Sequence, residues 1–85
     1  MNIEIIFQMI NNSTWTSSNN KYVYNFINGR DLSINGQNHQ EYSLNISDDK
    51  IILQLGSSYT YYVEYINDFN LHLYNAQERF KIMPY

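Results

Sequence analysis

Two groups of polar side chains have residue types that could do chemistry. His39 and Glu41 form a His-x-Glu pair on one face of a strand, and such a pair could start a metal site or act as an acid and base. No third ligand stands at a recognisable spacing, and the other histidine, His72, is predicted to face outward between two leucines. The pair is therefore predicted to be a solvated strand start.

The second group offers oxygen atoms of the kind that calcium prefers, from Asn45, Ser47, Asp48 and Asp49. These residues lack the extended Asp-x-Asp-x-Asp-Gly run and the distant glutamate of a specific calcium loop, so they are predicted to form a plain turn. The sequence also has no glycine-rich phosphate loop, no Gly-x-Ser-x-Gly elbow and no carboxylate pair in an apolar setting. We expect a protein that is not an enzyme and needs no cofactor.

The elements that must position these residues are short. The chain has 85 residues, enough for one domain over residues 1–85, and it is 44% hydrophobic but only 15% charged, which predicts an ordered structure. Its net charge is −3 and its five basic residues form no cluster, so we expect no nucleic-acid partner. Without cysteine the fold must be held by packing alone.

From residue 13 onward, apolar and polar residues alternate over short segments that turn residues separate every eight to twelve positions. Eight strands are predicted: around Trp15, over 21–27, at 32–34, over 40–47, at 51–55, over 59–66, at 71–73 and at 80–82. The dipeptides Asn28-Gly29 and Asn35-Gly36 predict tight hairpin turns. The pattern predicts an all-β, up-and-down antiparallel meander that closes as a barrel, with a two-sheet sandwich as the alternative.

The alternation also predicts which side chains point into the core. The inward set is Trp15, Tyr22, Tyr24, Phe26, Tyr42, Leu44, Ile46, Ile51, Leu53, Leu55, Tyr59, Tyr61, Val63, Ile66, Leu71, Leu73, Phe80 and Ile82, with a bulge near Tyr65 returning Ile66 to the core. The outward apolar set is Val23, Ile27, Tyr62, Tyr74, Met83 and Tyr85. This set contains more apolar and aromatic side chains than we expect on a barrel surface that faces only water.

The N-terminal segment fits two patterns, because residues 2–10 keep both helical and strand spacing. We favour a short helix, within residues 1–12, that covers one end of the barrel. No apolar run is long enough for a transmembrane helix and the start lacks the pattern of a signal peptide. The expectation is a soluble chain, cytoplasmic by default, whose compartment is open because an export signal could have been removed.

The order of helix, single tryptophan, aromatic strand and hairpins resembles the small lipocalin-like, calycin-type barrels of bacteria. The residues that carry the resemblance are Trp15, Tyr24-Asn25-Phe26, Tyr42-Ser43-Leu44-Asn45-Ile46, Leu71-His72-Leu73 and Phe80-Lys81-Ile82. The resemblance spans nearly the whole chain. It implies an eight-stranded barrel of a family whose larger members hold small apolar ligands.

Two functions compete at this point. The first is a non-catalytic interaction module, with Tyr62, Tyr74 and Met83 forming a surface for a protein partner or for a second copy in a homodimer. The second is a binder of a small apolar ligand. Its pocket would be lined by Trp15, Tyr24, Tyr42 and Tyr61.

Overall fold

A computed structural model describes residues 3–85, apart from the side chain of residue 38. The elements in chain order are α1 (Ile3–Ile10), β1 (Thr14–Ser17), β2 (Val23–Ile27), β3 (Asp31–Ile34), β4 (Gln37–Ser47), β5 (Lys50–Leu55), β6 (Tyr59–Asn67), β7 (Asn70–Tyr74) and β8 (Arg79–Pro84). The predicted helix and the eight predicted strands are confirmed. Residues 1 and 2, with which the predicted capping segment begins, lie outside the described residues.

Each strand pairs antiparallel with the next strand in sequence, and β8 pairs with β1, so the sheet closes into a barrel. The barrel is confirmed and the sandwich is excluded. The turns follow from local sequence. Asn28 and Gly29 have φ values of 53° and 68°, and Asn35 and Gly36 have 55° and 73°. Two successive residues with positive φ match the twist of the strands that such a turn joins.

The core lies inside the barrel and under the helix. Its buried side chains are Ile6, Ile10, Trp15, Tyr24, Phe26, Leu32, Tyr42, Ile51, Leu53, Leu55, Tyr61, Val63, Leu71, Leu73, Phe80 and Ile82. These residues come from α1 and from all eight strands. Aromatic rings fill much of the interior, as in the contact between Phe26 and Tyr42, whose centroids lie 4.9 Å apart. An eight-stranded barrel is narrow enough for side chains to fill in this way.

The two ends of the barrel are closed differently. At one end α1 buries Ile6 and Ile10, and the ring of Phe7 lies so close to Gly29 that a Cβ there would come within 2.7 Å of it. At the other end Tyr22 and Tyr61 donate hydrogen bonds to Glu78 Oε2, at 3.2 and 2.8 Å. One end is therefore sealed by apolar packing and the other by a polar network.

Three residues predicted to point into the core are instead exposed. The exposed fraction is 57% for Ile46, 39% for Tyr59 and 43% for Ile66. Ile46 lies on the inner face of β4, but beyond the last residue that pairs with β3, so no barrel wall faces it. Tyr59 is the first residue of β6, at the end of the barrel. The bulge predicted near Tyr65 is present, yet it leaves Ile66 at the surface.

The outward set is only partly as predicted. Tyr62 and Tyr85 are exposed, whereas Val23, Ile27, Tyr74 and Met83 are half-buried by neighbouring side chains. Within residues 3–85, the one helix is too short to cross a lipid bilayer.

Candidate interaction surface

A row of large side chains crosses the outer face of the barrel. Ile52 pairs with Tyr62, Tyr62 pairs with Tyr74, and Tyr74 pairs with Arg79, so the four residues stand side by side on β5 to β8. We call these four residues the tyrosine row. Its members come from four strands, and only the register of three consecutive hairpins brings them together.

The two rings at the centre of the row contact each other and a cation at either side. The centroids of Tyr62 and Tyr74 lie 5.4 Å apart, with an angle of 36° between the ring planes. Lys50 Nζ lies 5.0 Å from the centre of the Tyr62 ring, and Arg79 Cζ lies 6.0 Å from the centre of the Tyr74 ring. Cations at this distance from an aromatic face are attracted to its electrons. Each ring therefore contacts the other ring and lies beside one cation.

A second, polar row runs beside the first on β6 to β8. Glu64 pairs with His72, and His72 pairs with Lys81. His72 Nδ1 lies 3.1 Å from Glu64 Oε1, and the imidazole stacks on Tyr74 with centroids 5.3 Å apart. His72 therefore faces outward, as predicted, and it supports the tyrosine row from one side.

The charge on this face differs from that of the whole chain. Three of the five basic residues, Lys50, Arg79 and Lys81, extend from β5 and β8 around the tyrosines, although the net charge of the protein is −3. Tyrosine and arginine are enriched in the centres of protein interfaces, where they combine a large contact area with polar groups. The tyrosine row is therefore flanked by positive charge on a chain whose net charge is negative.

Met83 does not join the other two residues of the predicted interface. Tyr74 pairs with Arg79, and Met83 lies four residues further along β8, where it pairs with Thr16 of β1. Four residues of a strand span about 13 Å. Met83 is half-buried at that position. Sequence alternation had placed it on the correct face, but not at the correct level of the barrel.

The four residues predicted to bind a ligand are all in the core. Trp15, Tyr24, Tyr42 and Tyr61 are at most 5% exposed. Their rings pack against other aromatic rings, as Tyr61 does against Phe80 with centroids 5.3 Å apart. No pocket opens in the part of the chain that the structure describes.

The polar network around Glu78 was not predicted from the sequence. Burial is the main cause that raises the pKa of Tyr24 and Tyr61 above the ordinary value, and the carboxylate of Glu78 adds to both shifts. The pKa of Tyr22 is raised by the same causes. The hydroxyls of Tyr22 and Tyr61 therefore stay protonated and donate to Glu78. A glutamate directly after a turn gives no local signal of such contacts, because its two partners are 17 and 56 residues away.

The residues first considered for chemistry lie on the surface. His39 and Glu41 are exposed on β4, and Glu41 forms an ion pair with Arg30 at 3.3 Å. Among residues 3–85 no group of three histidine, aspartate or glutamate side chains is arranged to hold a metal ion. Asp48 and Asp49 form a turn in which both residues have positive φ, 51° and 63°.

The fold and this surface define the class of the protein: a small, closed, antiparallel β-barrel with a tyrosine-rich outer face. Comparisons with protein-family models, with curated proteins and with solved structures found no match for the chain.

Proposed function

We propose that this protein is a non-catalytic interaction module that binds a protein partner through the tyrosine row. The observation that carries the proposal is the contact between Tyr62 and Tyr74, flanked by Lys50 and Arg79 on an otherwise acidic chain. Self-association is the simplest form of this function. The meander order and the N-terminal helix support, as part of the same proposal, a kinship with the lipocalin-like barrels of bacteria.

The contacts that the two rings make within the barrel surface support a binding role. A side chain that is already held in place loses little conformational entropy when a partner covers it. Both tyrosines already contact another ring and a neighbouring cation in the free protein. Truncation of an aromatic residue at the hot spot of an interface costs about 2 kcal/mol or more, and each 1.4 kcal/mol is a tenfold change in affinity.

The test is a double variant, Tyr62→Ser with Tyr74→Ser, compared with the wild type by sedimentation velocity across the micromolar range. The proposal expects association through the tyrosine row, with a second copy or with a co-purifying protein seen by native mass spectrometry. This association should weaken by roughly a thousandfold in the double variant. A matched control, Phe69→Ser with Tyr85→Ser, removes two exposed rings outside the row, which are 68% and 82% exposed. The control should associate like the wild type.

Two results would count against this function. One is a wild-type protein that stays monomeric and co-purifies with nothing. The other is a control variant that loses association to the same extent as Tyr62→Ser with Tyr74→Ser, because the effect would then come from general surface hydrophobicity.

The alternative function, binding of a small apolar ligand by the interior aromatic residues, stays a prediction. Its four residues are packed against their neighbours, so a ligand would have to displace core side chains. A bound small molecule in the native mass spectrum of freshly purified protein would support this alternative.

A further inference from the structure

Strand β4 is longer than the strand that precedes it. The last residue of β4 that pairs with β3 is Glu41, opposite Asp31, whereas pairing with β5 continues as far as Ser47. Residues 43–47 therefore have a strand neighbour on one side only. Although the barrel is closed, this segment presents a free strand edge.

The direction of the backbone groups along this edge can be worked out from two hydrogen bonds. Gly56 N–H donates to the carbonyl of Glu41 at 2.8 Å, so the polar groups of Glu41 face β5. Tyr42 N–H donates to the carbonyl of Arg30 at 2.8 Å, so the polar groups of Tyr42 face the other way. Because the direction alternates along a strand, Leu44 and Ile46 also direct their N–H and C=O groups away from β5.

These groups have no partner among the described residues. Helix α1 packs against β4, but no backbone hydrogen bond from α1 or from any other described element reaches Leu44 or Ile46 on that side. The side chain of Ile46 is 57% exposed on the same segment. An edge with unpaired backbone groups and an exposed branched side chain is a template for strand addition.

We propose that a second copy of this chain binds here, by antiparallel pairing of residues 43–47 with the same residues of the copy. The edge is self-complementary when a two-fold axis passes through Asn45. Leu44 then lies opposite Ile46 of the second copy, and both residues have their N–H and C=O groups directed at each other. This register forms four backbone hydrogen bonds and pairs the two apolar side chains on one face.

The register also fixes which residues lie at the ends of the paired segment. Beyond Ser47 the chain turns through Asp48 and Asp49, and the antiparallel arrangement brings this turn to Tyr42 of the copy. The residue at that position of the edge is Arg30, whose carbonyl accepts from Tyr42. Arg30 is well exposed and forms an ion pair with Glu41 at 3.3 Å. Asp48 and Asp49 of each copy therefore end beside the ion pair of Arg30 and Glu41 of the other.

The pairing would also extend the surface described above. Asn45 pairs with Ile52, and Ile52 is the first member of the tyrosine row. A dimer centred on Asn45 joins two tyrosine rows into one continuous row on the outer face of a shared sheet. The inference goes beyond the proposed function, since the edge and the tyrosine row consist of different residues and can fail separately.

A single cysteine tests the register directly, because the natural chain contains none. In Asn45→Cys the two thiols would face each other across the two-fold axis, in a non-hydrogen-bonded pair with Cα atoms about 4.5 Å apart, a distance that a disulfide can span. In the matched control Ser43→Cys the two sulfur-bearing residues would be about 14 Å apart along the strands. With oxidised glutathione, we expect a covalent dimer for Asn45→Cys and at least tenfold less for Ser43→Cys.

Equal cross-linking of the two variants, or none in either, would overturn the proposal. A second measurement uses Ile46→Pro, which removes an N–H group from the free side and leaves the pairing with β5 intact. With Tyr62→Ser and Tyr74→Ser also present, so that only dimerisation through the edge is measured, sedimentation should show at least tenfold weaker dimerisation when Ile46→Pro is added. Ile46→Lys serves the same purpose if the proline variant does not fold. Tyr62→Ser with Tyr74→Ser should leave cross-linking through Asn45→Cys unchanged, which separates this proposal from the function proposed above.

Discussion

Removal of one hydroxyl from the barrel core should have opposite effects at two tyrosines. Tyr61 is 1% exposed and donates to Glu78 at 2.8 Å. Tyr42 is 5% exposed, and its hydroxyl has no hydrogen-bond partner among the described residues. We therefore expect Tyr61→Phe to lower the free energy of unfolding and Tyr42→Phe to raise it.

The size of each effect follows from what the hydroxyl contacts. A hydrogen bond to a charged group contributes about 1.5–3 kcal/mol, and the lower end applies to Tyr61 because Glu78 is half-exposed and keeps its bond from Tyr22. At 4–8 °C per kcal/mol, the melting temperature of Tyr61→Phe should fall by about 6–12 °C. In Tyr42→Phe a buried polar group without a partner is lost, which should stabilise the barrel by up to about 1 kcal/mol.

Urea unfolding followed by circular dichroism, together with thermal melts, measures both variants. Each variant removes the same oxygen from the same ring type, so effects of side-chain volume largely cancel in the comparison. The reasoning would be refuted if Tyr61→Phe were as stable as Tyr42→Phe or more stable. A Glu78→Gln variant should show a smaller loss than Tyr61→Phe, since an amide oxygen still accepts both bonds.

Two further expectations concern the ends of the barrel. Gly29→Ala should lose more stability than Gly36→Ala in urea unfolding. Both residues have positive φ, but a Cβ at Gly29 would meet Phe7, whereas nothing lies within 4 Å of Gly36. Equal losses would mean that α1 does not pack as described. Stability should also fall as pH rises above about 10. Burial raises the pKa of Tyr24 and Tyr61 in the folded state, so the unfolded chain loses these protons first. In a pH titration followed by absorbance at 295 nm, some of the nine tyrosines should ionise only when the barrel unfolds, and ionisation of all nine before unfolding would contradict this.

Much of the fold could be predicted because the relevant signals are local. The period of two identified the strands, and the asparagine-glycine pairs at 28–29 and 35–36 fixed the turns that make neighbouring strands antiparallel. Closure of the barrel was also predicted. Closure depends on the pairing of β1 with β8, which no local signal encodes. It was predictable because a closed barrel leaves most strand edges covered, and strands of low charge would aggregate with bare edges.

The errors arose where alternation identifies the face of a strand but not its surroundings. Ile46 and Tyr59 lie on inner faces, yet each stands where the barrel wall has ended. Met83 shows the same difficulty on the outer face, where a correct side was combined with the wrong level. Only the register between strands settles these positions. The same register brought Ile52 and Arg79 to the predicted tyrosines, and the pairing of the predicted hairpins could have indicated both.

The pairing of β1 with β8 has a consequence for how the barrel forms. Trp15 pairs with Pro84 across most of the chain, whereas every other pairing between strands joins two that are consecutive in sequence. Hairpins form within microseconds, but joining distant segments must first overcome the entropy of a long loop. The seam between the first and last strands is therefore the contact with the largest loop-closure cost. Its closure covers the two bare margins that an open sheet of these strands would present to other chains, so the longest-range contact in the fold is also the one that protects it from aggregation.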